Sequence, residues 1–76
     1  MPTAQQAIAG LTDDQRAKVA QLEDDRQWAR TAVDYVCHAM AMAKARYFIL
    51  GATGLDLEED HELEGCMALC SRLQQP

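Results

Sequence analysis

Proline and glycine are nearly missing from the interior of this 76-residue chain. Pro2 and Pro76 lie at its ends, Gly10 precedes the first strong helix signal, and Gly51 and Gly54 bracket one short segment. Only Gly65 interrupts a periodic stretch. No apolar–polar alternation bounded by turn residues occurs, so strands are excluded and helices joined by short turns remain. Long apolar runs are missing too: nothing approaches the ~18 residues of a membrane span. Residues 1–10 have neither the basic start nor the apolar stretch of a secretory signal. Cysteines are few, and Cys37, Cys66 and Cys70 cannot all pair with one another. Free thiols in a reducing cytoplasm are expected. Basic residues are scarce, with seven Lys and Arg against twelve Asp and Glu and a formal charge of −5. That balance argues against direct nucleic-acid binding, which needs cations to displace counterions from phosphates. It suits solubility by self-repulsion, or docking on a basic surface.

What is present is helical periodicity. A chain this short makes one domain that buries only roughly 60% of its unfolded surface, so self-association is a natural supplement. Thr12 followed by Gln15 is a capping box, with Asp13 and Asp14 at the positive end of the dipole, and predicts a first helix over 12–23. Residues 3–9 either extend it or fray. Asp24 with Gln27 gives a second N-cap signal and predicts a break near 23–25. From Arg26 to Leu50, Trp28, Ala32, Tyr35, Ala39, Met42 and Ile49 follow heptad spacing. Ala29, Val33, Val36, Met40, Ala43, Tyr47 and Leu50 form a second, adjacent seam. Together they predict a long central helix over 26–50, with Arg26, Arg30, Asp34, His38 and Ala41 on the outer side. The loop at 51–55 then leads to a third helix over 56–73, with Asp56 as N-cap and Glu59 in the capping-box position. Its inner face carries Leu63, Cys66, Met67, Leu69, Cys70 and Leu73, while Gly65 permits close packing. The expected fold is all-α: a helical hairpin or three-helix bundle around the long helix, dimeric through Ala29, Ala32, Ala39 and Ala43.

Little in the chain carries chemistry. Cys66 and Cys70 lie one helical turn apart and Cys37 could join them, but a structural zinc needs four ligands and no fourth is present. His61 lies about 140° around the helix from Cys66. The acidic run from Asp56 to Glu64 lacks the Gly and the bidentate Glu of a calcium loop, since His61 and Met67 stand at those positions. His38 and His61 have no partners arranged for acid–base or nucleophilic work. No catalysis, metal or cofactor is expected.

Binding is the remaining activity. All four aromatics, Trp28, Tyr35, Tyr47 and Phe48, lie on the expected central helix, and so small a domain has little other helix to cover both its seams. Arg46 interrupts the first seam, either lifting its charge to the surface or anchoring an interface. The candidate partner-binding residues are Trp28, Tyr35, Arg46, Asp56, Glu58, Glu59, Asp60 and Glu62, facing a protein with a basic surface. One alternative is a small-molecule or nucleotide sponge, with pockets between protomers and Arg46 or Arg30 meeting phosphate. The other is a small metal-binding domain built on the cysteines.

In size, acidity and helical content the chain resembles the short proteins that phages make to disable host systems, among them the anti-CRISPR proteins. The stretch from Asp25 to Val36, DRQWARTAVDYV, is similar to the main helix of phage quorum-sensing anti-activators. The resemblance implies a phage-type antagonist of a host complex, acting in the host cytoplasm, and carries no functional residue across.

Overall fold

Thr3 and Thr12 each open a helix in the same way. Thr3 accepts from the Gln6 N–H while the Gln6 side chain accepts from the Thr3 N–H, and Thr12 and Gln15 repeat the arrangement. Each capping box satisfies two backbone donors that a helix start would otherwise leave unpaired. In a computed structural model describing residues 1–76, the chain forms α1 (Ala4–Gly10), α2 (Asp13–Thr31), α3 (Tyr35–Thr53) and α4 (Asp60–Gln74), with no strands. The fold is an all-α helical bundle. No helix is long and apolar enough to cross a membrane.

Three expectations of helix placement ahead of residue 35 are corrected. Residues 4–10 form a separate helix, because Thr3 caps it and the Arg16 guanidinium donates to the Ile8 carbonyl at its far end (3.2 and 3.0 Å). The break expected near 23–25 is absent: Asp24 is an exposed mid-helix residue, and the Gln27 amide donates to Glu23 instead of closing a cap. The chain breaks instead at 32–34, inside what periodicity predicts as one long helix. There the Asp34 N–H donates to Ala29 O (2.8 Å) and the Val33 N–H to Arg30 O (3.2 Å), a Schellman closure with Val33 left-handed at φ 55°. The Asp34 carboxylate then accepts the Cys37 N–H at 3.0 Å and starts α3. Heptad spacing continues through this joint, which is why periodicity alone does not show it.

The reversal folds α3 back along α2, and α4 packs on α2 as well, so α2 and not α3 is the central element. The core gathers Ala4, Ala7 and Leu11 with Val19, Ala20 and Leu22, Ala45 and Ile49, Leu57, Leu63, Cys66, Met67 and Cys70. Full burial of a side chain such as Ile49 or Met67 stabilises by roughly 1.5–3 kcal/mol. Two residues expected outside are inside. Ala41 is buried against α2, and Arg26 is buried in a bidentate pair with Glu23 on its own helix (2.6 and 2.9 Å). That pair holds the guanidinium firmly protonated, and Glu64 of α4 approaches it at 3.7 Å.

The last turn of α3 runs through the expected loop to Thr53 and ends on Gly54, whose φ of 76° suits glycine. Asp56 does not cap α4. The helix starts four residues later after Glu59, without a side-chain cap bond. Glu62 reaches back to accept the Ala4 N–H (3.4 Å), joining α4 to α1. A Cβ at Gly65 would meet Ala4 Cβ at an ordinary 3.6 Å, so packing there does not require glycine.

Candidate functional site

α3 is apolar on two opposite sides. With successive residues about 100° apart, Ala41, Ala45 and Ile49 share one face and Val36, Met40, Ala43, Tyr47 and Leu50 the opposite one. The first set is buried in the bundle. In the second, Val36 is 69% exposed, Met40 49% and Tyr47 66%; Ala43 is also exposed and Leu50 half-buried. This outer stripe is the part of the second heptad seam that lies beyond the break at 32–34, its first members Ala29 and Val33 falling on α2 and in the joint. The dimer-forming alanines divide accordingly: Ala29 is spent inside the subunit, while Ala32, Ala39 and Ala43 are exposed.

One flank of the stripe is an open groove between α2 and α3 of about 250 Å³, lined by Asp25, Trp28, Cys37, Met40, Ala41 and Lys44. Trp28 is 61% exposed at its lip. It stands one helical turn beyond Asp24 and Asp25, so both aspartates and the indole share the outer face of α2. Neither aspartate has a cation within ion-pair distance; Asp25 accepts only from the Gln21 amide (3.4 Å).

The other flank carries Arg46. Its guanidinium forks onto Asp56 (2.7 and 2.9 Å) and lies 3.8 Å from Glu58, clamping the α3–α4 connection to α3. The pairing holds Arg46 protonated and the Asp56 carboxyl below the usual carboxylate range. Glu59 pairs with His61 at 3.4 Å, and Glu58, Glu59 and Asp60 are exposed around the start of α4. Of the residues that sequence reasoning selects, Arg46, Asp56 and Glu58 therefore form one cluster beside Glu59 and Asp60. Glu62 is turned inward to α1. Tyr35, the first residue of α3, is 79% exposed and does not line the groove. Asp24 and Asp25, which sequence reasoning offers with Asp13 and Asp14 as an extension of the acidic surface, lie one turn before Trp28, and their spacing of four and three from the aromatic is the signal that joins them to it.

Cys37 is not brought to the other two cysteines. Cys66 and Cys70 are fully buried in the core, whereas Cys37 is exposed at the groove. The Cys66 thiol is pushed up by its hydrogen bond to Cys70 and by burial, and no group of three or more potential ligands is placed to hold a metal. Set against family models, curated proteins and solved structures, the chain matches none of them.

Proposed function

We propose that the protein works by binding another protein through an acidic, tryptophan-centred surface, in the manner of an antagonist that occupies a basic face of a host complex. The observation that carries this reading is Trp28, 61% exposed one helical turn beyond two aspartates that have no ion-pair partner. An exposed indole is costly to leave in water and is enriched among interface anchors. A partner Arg or Lys can stack on its face while Asp24 or Asp25 takes the charge.

The distribution of charge supports the same partner. Arg16, Arg26 and Arg46 are tied to Asp13, Glu23 and Asp56. Meanwhile Asp14, Asp24, Asp25, Glu58, Glu59 and Asp60 stand exposed. The pairs cancel charge one for one, and the net −5 stays with exposed carboxylates that outnumber the exposed cations Lys18, Arg30, Lys44 and Arg72, a negative field that steers a basic partner. The form of the action, antagonism within a host cytoplasm, comes from the resemblance to phage host-takeover proteins. Against the phosphate-binding sponge, Arg46 is committed to Asp56 and the groove is predominantly apolar, which leaves that reading only the exposed Arg30.

The test is capture from host lysate on the immobilised chain, repeated with Asp24→Lys plus Asp25→Lys and with Glu58→Lys, Glu59→Lys and Asp60→Lys. Every one of these positions is exposed, so circular dichroism should be unchanged. Loss of a stoichiometric partner with the α2 variant supports the reading. Equal capture by both variants contradicts it.

A further inference from the structure

We propose that the outer face of α3 is covered by a second copy of this chain, the two α3 helices crossing antiparallel on a two-fold axis at Ala43. This inference does not rest on the partner reading above. It starts from the uncovered stripe of Val36, Met40, Ala43, Tyr47 and Leu50, which keeps heptad spacing over a length of about 21 Å. A helix apolar on both sides is normally buried on both, and contiguous exposed apolar patches beyond a few hundred Å² are rare on monomers.

The stripe is self-complementary. Its smallest residue, Ala43, is central, so two backbones can approach closely there. Reversing the helix about Ala43 places Val36 against Leu50 of the partner subunit. The same operation brings Met40 beside Tyr47 of the partner subunit, a thioether–aromatic pairing. A two-fold contact uses the same patch on both copies, as this arrangement does.

Charge selects a second copy over a basic partner at this face. The chain holds twelve acidic residues, yet α3 from Tyr35 to Thr53 contains none. Two copies at −5 each repel less across a long helix that carries no carboxylate than across α2 or α4, which carry several. Each edge of the stripe also carries both signs: Lys44 shares the groove with Asp25, and Arg46 is joined to Asp56. An edge of that kind meets its own reversed image with opposite charges in reach. Asp24, Glu59 and Asp60 stay outside the contact.

The experiment is sedimentation equilibrium of the purified full chain at tens of micromolar, beside Ala43→Glu and Tyr47→Lys. The wild type is expected at twice the monomer mass, with both variants monomeric and unchanged in helical circular dichroism. Ala43→Cys in a Cys37→Ser background should also form a covalent dimer on mild oxidation. A monomeric wild type, or a dimer that survives both substitutions, overturns the proposal. Because no other protein is present, failure here is separate from failure to capture a partner.

Discussion

Val33 holds a left-handed φ of 55° at the α2–α3 joint. A β-branched residue is costly in that region, by about 1–3 kcal/mol, whereas glycine is not. Its side chain is 63% exposed, so little packing compensates. Val33→Gly should therefore stabilise the fold by about 1 kcal/mol after allowing for glycine's larger unfolded entropy. The thermal midpoint would rise by roughly 4–8 °C for a domain of this size. A lower midpoint would show that Val33 makes a contribution beyond its turn. The same residue explains why the joint is hard to read in sequence. Helix ends of this type normally display glycine, and a valine in heptad register signals continuation instead. Thr12 and Gln15, whose pairing is local, were legible at once and cap α2 as expected.

At the scale of elements, the short connection from Leu55 to Glu59 is held by the fork between Arg46 and Asp56. Two carboxyls ionise at lower pH in the folded chain than in the unfolded one. Asp56 is lowered by Arg46, and Asp34 by the Cys37 N–H that it caps. A lowered folded-state value contributes stability that is fully present above the unfolded value, near pH 4. That contribution is lost as pH falls through the folded values. Thermal midpoints measured from neutral pH downward should drop below about pH 4. Asp56→Asn should flatten part of that drop, leaving the share due to Asp34, and an equally steep fall in the variant would contradict this assignment. Helical class and the apolar character of residues 35–50 were readable, because both follow from composition and spacing. Which side of α3 faces inward was not: with two apolar faces, only the neighbours decide. The partnership of Arg46 with Asp56 was hidden for a related reason, since ten residues and a turn separate them and each residue alone resembles a free surface charge.

Over the whole molecule, burial and charge sort in opposite directions. Three arginines are paired with carboxylates of their own chain, Arg26 in the interior and Arg16 and Arg46 nearer the surface, while most carboxylates remain in water. Each pair removes one charge of either sign, so the net charge of −5 is unchanged and is carried by carboxylates that outnumber the four exposed cations Lys18, Arg30, Lys44 and Arg72. Sequence also placed Trp28 among the contact residues, but on the wrong helix. It belongs to the end of α2, with Asp24 and Asp25 one turn behind it, and not to a helix shared with Tyr35 and Tyr47. A surface of this kind is expected to concentrate its binding energy in the aromatic anchor.

The most direct measurement is a calorimetric titration of the captured partner with wild-type chain and with Trp28→Ala, after confirming that both have the same helical content. The expected result is a Kd weakened by roughly thirty-fold, the effect of losing about 2 kcal/mol at an anchor. Equal affinity for the two proteins would contradict a tryptophan-centred contact and move the binding surface elsewhere on the molecule.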